Sequence, residues 1–474
     1  MAFLRKIVFL VFVLIYAFVA PFTILYALGY IFQPDRPTLL QTGLVSLISQ
    51  PSQARVWVNG LTIQEKTPLV LRNLKPGTYQ IRIERAGYQP WARPVSVAPE
   101  RAIRLEKILL FPARYRPSVL GGRPVTQIRP IPKTRNFLIQ YGDTASGLFL
   151  FDLDKDEPRP LLPQAAYADA KVEAVSFNPS GDRALLGLRK ARLFLPVLVR
   201  FESLMQDSIQ TEEPRSLFPE PFEHLQWNPA LKDSVYYLKG NTLKRSDLDS
   251  GLTFPELAGG VRGFALYARR LFVLDEKGRF LELSEKGKIR DIFLDEPAQS
   301  RLIFGSMGRD FYSIHFLPRE SLFFLPNDTI AIFFSREGRL VSNRLPYFLD
   351  EGVQEISLAF SESRLAYRKG SGIWTVDFEK ERERTFFENG PTPRKIYEGR
   401  ESISNLWWFH EDQYLLFREG NRLRVQDFEG EEKPVELFRI SSRVQDVALD
   451  EKRGFVYFAD PETDYLSRVK VFEP

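Results

Sequence analysis

The chain has no cysteine among its 474 residues. That removes disulfides, thiolate metal sites, cysteine nucleophiles and a lipid-acylated cysteine together. Histidine is almost as scarce, at three residues, His224, His315 and His410. No two are spaced i, i+3 or i, i+4, so the helical zinc-ligand pattern is missing. No Walker lysine loop and no dinucleotide glycine fingerprint occur. The run from Gly305 to Gly308 falls one residue short of the Gly-x-Ser-x-Gly nucleophile elbow and has no helical pattern after it. No catalytic, cofactor-binding or metal-ligating residue is therefore expected. A large excess of one charge is lacking too: 65 Lys and Arg against 60 Asp and Glu give +5. Signs alternate locally, as over residues 379–384, which reads as a solvated face and argues against a nucleic-acid partner. No stretch concentrates enough positive charge to argue for an anionic surface.

Long apolar runs are also absent, with one exception. Ile7 to Phe32 is a 26-residue stretch without a charged side chain. As a helix it would span roughly 39 Å, more than the roughly 30 Å hydrocarbon core of a bilayer. Arg5 and Lys6 precede it and no acid does. The positive-inside rule then puts residues 1–6 in the cytoplasm and the bulk of the chain outside. The alternative is a cleaved signal peptide, but the run exceeds the 7–15 residues of a signal core. Pro21, directly after the small-x-small pattern ending at Ala20, disfavours cleavage there. The expectation is a single-pass anchor over residues 7–32, in the cytoplasmic membrane, followed by a linker over 33–42.

Residues 43–110 alternate in period two and are punctuated by turn chemistry. Arg55 to Val58 ends at Asn59-Gly60, the strongest short hairpin signal. Thr67-Pro68, Pro76-Gly77 and Ala86-Gly87 mark further turns, and six or seven short strands imply a small β-sandwich. Trp57, Tyr79 and Tyr88 are expected in its core. The ordered set Pro51 to Ala54, Val56 to Gly60, Thr67-Pro68, Leu74 to Tyr79 and Ala86 to Tyr88 resembles a PEGA domain. The tetrapeptide that names that family is imperfect here, since Ser52 and Gln53 replace its middle two letters. The resemblance implies a non-catalytic, extracytoplasmic β module of a prokaryotic envelope protein, and it implies no site residues.

After a Pro- and Arg-rich linker over 111–124, residues 125–474 repeat. Units start near 125, 172, 222, 261, 302, 353, 403 and 444, with an average gap of about 46 residues. One four-stranded propeller blade takes about 40–50 residues. Such sheets cannot bury their own faces and must stack in a ring. The run Phe177-Asn-Pro-Ser-Gly-Asp182 resembles the turns of WD40-like and TolB-like propeller repeats. The fold class is thus mainly β: an N-terminal transmembrane helix, a small PEGA-like β-sandwich, then a seven- or eight-bladed β-propeller. The poor copy near Leu302 leaves seven open, and Ser118 to Leu120 is available as a ring-closing strand.

Asp152, Asp247, Asp377 and Asp427 recur at one repeat position and are expected to serve turns. His224 and His410 hold neighbouring places in their repeats and read as polar blade-edge residues. Trp407 and Trp408 are adjacent on a strand, so one should face each way. Whichever faces out is the candidate contact for a ligand or partner. The expected function is non-catalytic binding or scaffolding through the propeller, with an envelope protein or a cell-wall or surface polymer as partner. The alternative is a hydrolase or lyase acting on glycan or peptide, which requires two carboxylates, or a carboxylate and a histidine, to converge in the channel.

Overall fold

The computed structural model describes residues 2–27, 30–33, 38–153, 155–201, 210–212, 223–228, 231, 233–250, 252–253, 257–267, 270–276, 280–283, 289–291, 320–325, 329–334, 338–342, 348–378, 392–429, 433–444 and 446–473. The start expected at Leu302, His315, the Gly305–Gly308 run and the charged run at 379–384 lie outside them.

The first element is a helix, Ala2–Ala27. Its stretch Ile7–Leu25 has a mean hydropathy of 2.7 and none of it is buried against the rest of the chain. By length and composition it can cross a membrane. It stops five residues short of the end of the apolar run. Tyr30–Gln33 instead pairs antiparallel with Thr38–Gln41, Tyr30 opposite Gln41. Apolarity set the expected boundary at Phe32, but Gly29, Pro34 and Pro37 disfavour helix, and the aromatic and β-branched residues between them suit a hairpin.

The small domain is a sandwich of two sheets. One has three strands, Leu69–Leu74, Gly43–Gln50 and Ala102–Leu109; the other has four, Leu61–Lys66, Arg55–Val58, Gly77–Glu84 and Trp91–Val97. Asn59 and Gly60 turn the hairpin with φ of 50° and 81°, the left-handed pair a type I′ turn requires. Val45, Leu47, Val56, Ile81, Ile83, Val95 and Leu110 fill the core, with Tyr79 and Tyr88 packed at its margin. Trp57 does not join them. It lies on the opposite face, in register with Thr62 and Arg82, because it alternates with buried Val56. Burial of an aromatic was expected from its size alone; the period-two pleat overrides that.

The repeats form eight small antiparallel sheets among the described residues, spanning 127–160, 171–212, 223–247, 261–291, 320–350, 353–398, 403–439 and 448–470. We number them 1 to 8. Sheet 8 is completed by Ser118–Pro124, which pairs with Tyr465–Lys470. The end of the segment read as a linker, where Ser118 to Leu120 was available as a ring-closing strand, therefore supplies the last sheet with its outermost strand, joining the beginning of the array to its end. Shared apolar clusters stack sheet 5 on 6, 6 on 7, 7 on 8, 8 on 1, 1 on 2, 2 on 3 and 3 on 4. First strands of neighbouring sheets approach one another: Val353–Leu358 and Ile403–Phe409, Gln127–Pro130 and Ala448–Asp450, Glu223–Trp227 and Val261–Tyr267. First strands converge on an axis and fourth strands lie outside, the arrangement of a β-propeller.

The motif at 177–182 shows how sequence fixes one of these turns. Asn178 is fully buried; its side-chain oxygen accepts the Arg183 backbone N–H at 3.0 Å, and its amide donates to Ser180 Oγ at 2.9 Å. Gly181 adopts φ 73°, and a Cβ there would sit 1.9 Å from the carbonyl oxygen of Pro132 on sheet 1. Only glycine fits both the backbone angle and the neighbouring blade.

Candidate functional site

Two tryptophans at matching repeat positions are tied to the preceding blade. Trp227 donates its indole N–H to Ser176 Oγ at 3.1 Å, and Trp408 donates to the Ser357 carbonyl at 3.1 Å. Both are buried, at 5% and 4% exposure. Trp408 also packs on Phe428, ring centroids 5.4 Å apart. Trp407 points to the other side and packs, half-buried, on the cluster between sheets 7 and 8. The adjacent rings thus face opposite ways, as the pleat requires, but both directions lead into neighbouring blades, and Trp408 presents no ring to a ligand. The reason is architectural: a propeller blade is covered on both faces, so the two sides of its strands are both interior.

The polar chemistry lies on the inner strands. Glu355 accepts the backbone N–H groups of Asn405 at 3.2 Å and Leu406 at 3.0 Å. Asn405, at φ 56°, donates its side-chain amide to Asp446 at 3.1 Å. Burial raises the Asp446 carboxyl, opposed by the charge of Arg129 and the Asn405 bond; burial lowers the Arg129 guanidinium. Asn405 interrupts the strand register between Ser404 and Trp407. Similar shifts fall at the second position of the first strands beginning at Glu223, Val261 and Val353, and at the third of the one beginning at Lys171. A recurrent bulge therefore re-aims the inner strand in blade after blade. This belt, Glu355, Asn405, Asp446 and Arg129, links sheets 6, 7, 8 and 1. It was missed in the sequence because each member is an ordinary polar residue, three on inner strands and Asp446 just before one; the irregular Ser404-Asn405 before the tryptophans is its only local signal.

The recurrent aspartates serve turns at three positions. Asp152 accepts the Lys155 N–H at 3.4 Å, Asp247 the Ser250 N–H at 2.9 Å, and Asp427 the Glu429 N–H at 3.1 Å. Asp377 faces Arg364 across the strand pair, at 3.4 Å. His410 is in a turn at φ 52°, its backbone N–H donating to Glu451 at 3.0 Å, and burial lowers its imidazole. His224 falls in the strand Glu223–Trp227, with its side chain outside the described residues. Among the described residues no group of three His, Cys, Asp or Glu could hold a metal ion.

The second polar cluster is the seam between the small domain and sheet 7. Trp91 donates its indole N–H to Asp427 at 3.3 Å, Gln413 donates to the same carboxylate at 2.7 Å, and Arg93 pairs with Glu429 at 2.5 Å. Tyr414 is 2% exposed, and its hydroxyl accepts the Leu109 backbone N–H at 2.8 Å. Phe111 meets Tyr414 edge-on, centroids 5.8 Å apart. Tyr88 donates to Glu473 at 3.0 Å, and Lys107 pairs with Glu411 at 2.7 Å. Burial raises the Asp427 carboxyl, with Arg93, Trp91 and Gln413 acting against it, and pushes the Tyr414 phenol well up. A cleft of about 50 Å³ remains between Trp91, Phe111, Tyr414 and Asp427, room for a few waters rather than a substrate. The seam's chemistry is that of a joint: buried polar atoms are paired across it, and aromatic rings interlock.

No curated protein matches the chain. Among solved structures it is similar to the β-propeller domain of Cps50 (Swd1) from Myceliophteria thermophila, at 10% identity and a TM-score of 0.40 over 76% of this chain and 100% of that one. It is similar to the C-terminal WD40 domain of Sif2, at 11% identity and a TM-score of 0.46, and to Saccharomyces cerevisiae Sqt1, at 12% and 0.45; each covers 76% of this chain and 98% of that one. The propeller itself is established by the strand pairing and stacking described above. Residues 42–109 match the PEGA domain family, so the chain carries a PEGA domain between its apolar helix and its propeller.

Proposed function

We propose that this protein is a non-catalytic, membrane-anchored scaffold of a prokaryotic cell envelope. Its helix is the anchor, its PEGA domain the coupler and its propeller the binding face for an envelope protein or a wall or surface polymer. The observation that carries the reading is the seam. A coupler that only spaced two parts would not need Tyr414, Asp427 and Trp91 to share buried hydrogen bonds between them. With Ser118–Pro124 leaving the seam to close the ring, a load on the helix is carried through the PEGA domain into the blades. Propeller rims gather loops from many blades, which suits a large partner.

Protease treatment of intact spheroplasts tests the placement: the propeller should be digested from outside while residues 1–6 stay protected, and a protected propeller refutes it. Purification of the full chain from cross-linked envelopes should recover one defined partner. Recovery that is equally heterogeneous with wild type and with a seam variant refutes the scaffold role. The hydrolase or lyase reading has one observation in its favour, two carboxylates, Glu355 and Asp446, meeting at Asn405 on the inner strands. Both are engaged in holding blades together, Glu355 by two backbone donors. Turnover of wall glycan or peptide that is lost in Asp446→Asn, with the melting temperature unchanged, would favour it over the scaffold.

A further inference from the structure

The charge of the chain is divided unevenly between its parts. Residues 43–110 contain ten Lys and Arg and four Asp and Glu, a net of +6, whereas the whole chain carries +5. The basic excess thus belongs to the PEGA domain, and the remainder is near neutral. Alternation along the strands hid this.

The domain also exposes apolar side chains on one face. In the three-stranded sheet, Val45, Leu47, Leu69 and Leu71 turn inward. The alternate positions turn outward: Leu44 is 37% exposed, Ile48 38% and Val70 42%. Arg72 is exposed on the same face as Val70, and Arg104 is in register with Ser46, between Leu44 and Ile48. Glu106 is the one acid at the outward positions of these strands. Neither arginine makes an ion pair among the described residues. An apolar patch set among unpaired cations suits an interface between hydrocarbon and phosphate.

The topology keeps that face within reach of the helix end. Ala27 ends the helix, Tyr30 is three residues on, Tyr30 is opposite Gln41, and Leu44 is three residues beyond Gln41. Two three-residue steps and one strand spacing limit the reach to about 25 Å. A helix of 26 residues is roughly 9 Å longer than the hydrocarbon core, so its end reaches the headgroup layer.

We propose that the outer face of the three-stranded sheet, formed by Leu44, Ile48 and Val70 with Arg72 and Arg104, docks on the anionic phospholipid surface of the bilayer that holds the helix. This rests on the reading of the helix as a span. Contact on this face, with the seam holding sheet 7, would fix the propeller's orientation to the membrane.

The absence of cysteine allows single-site labelling of the full chain. Ile48→Cys, Thr62→Cys on the other sheet and Phe12→Cys in the helix would each carry a fluorophore, in nanodiscs of neutral lipid or with one third anionic phospholipid. The expected result is quenching of the Ile48 label by a headgroup-attached quencher, at least twofold stronger in anionic than in neutral discs. Thr62 should stay unquenched. The effect should be lost in Arg72→Glu/Arg104→Glu, with an unchanged melting temperature confirming that the variant folds. Ile48 quenched no more than Thr62 while Phe12 is lipid-quenched overturns the docking and leaves the span intact. An unquenched Phe12 overturns the span itself. Protection of Ile48 from aqueous iodide without lipid quenching, as a second copy on the face would give, also overturns the lipid assignment.

Discussion

Tyr414→Phe deletes one oxygen atom at the centre of the seam. The phenol is fully enclosed, and its oxygen accepts the N–H of Leu109, itself 1% exposed, at 2.8 Å. The ring's contacts with Phe111 and Phe409 survive the change. What is lost is an acceptor, leaving a buried amide without a partner at a cost of about 1–3 kcal/mol. If the PEGA domain undocks from sheet 7 as a unit, that cost comes directly off the opening free energy. Amide exchange of Leu109 should then accelerate by roughly fivefold to over a hundredfold. Hydrogen exchange resolved to peptides covering residues 105–112 reads this out, with sheet 2, remote from the seam, as internal control. Arg93→Ala removes a partly exposed ion pair and should have a smaller effect, about 0.5–1 kcal/mol. Unchanged exchange at Leu109 in Tyr414→Phe, or equal acceleration in sheet 2, would refute the idea that this bond holds a local joint.

Asp412 is buried and accepts the N–H groups of Phe360 and Ser361, each at 2.8 Å, across two blades; Asp412→Ala should cost about 3–5 kcal/mol, visible as a large drop in melting temperature. Trp227→Phe and Trp408→Phe keep most of the ring volume but lose the staple to Ser176 or Ser357, so both should destabilise by about 1–3 kcal/mol in chemical denaturation. Leu120→Asp should detach the closing strand from sheet 8 and leave Tyr465–Lys470 as an open edge, giving concentration-dependent association by light scattering. Burial lowers the His410 imidazole below its ordinary 6.5, so the folded state binds fewer protons than the unfolded one just below that pH. Stability should therefore be full above pH 6.5 and fall as the pH drops beneath it; His410→Gln should flatten that slope in melting curves taken from pH 7.5 to 5.

Local pattern was enough for much of the architecture. The apolar run, the Asn59-Gly60 hairpin, the turn landmarks and a repeat of about 46 residues are each written within a few consecutive residues, because helix, hairpin and blade are set by short-range periodicity. The fate of individual side chains was less legible. Trp57 looked like a core residue and is outside; Trp407 and Trp408 offered one outward ring and both pack between blades. In each case the chain fixes alternation but not what covers each face. The segment 111–124 read as a linker because it is rich in Pro and Arg, yet Phe111 enters a core and Ser118–Pro124 closes the ring. That pairing joins positions some 350 residues apart; the short run Ser118 to Leu120 was legible as a ring-closing strand, but not which strand it would pair with.

The sequence by itself determined a membrane-competent helix, a PEGA domain and a stack of β repeats, since these depend on hydropathy and period. Only the tertiary structure decided that the strand offered at Ser118 to Leu120 runs on to Pro124 and pairs with Tyr465–Lys470, that Asp427 and Tyr414 lock the PEGA domain to sheet 7, and that Glu355, Asn405 and Asp446 form one polar belt. Those contacts depend on the angle at which each blade meets the next, and that angle comes from packing both faces of every sheet at once.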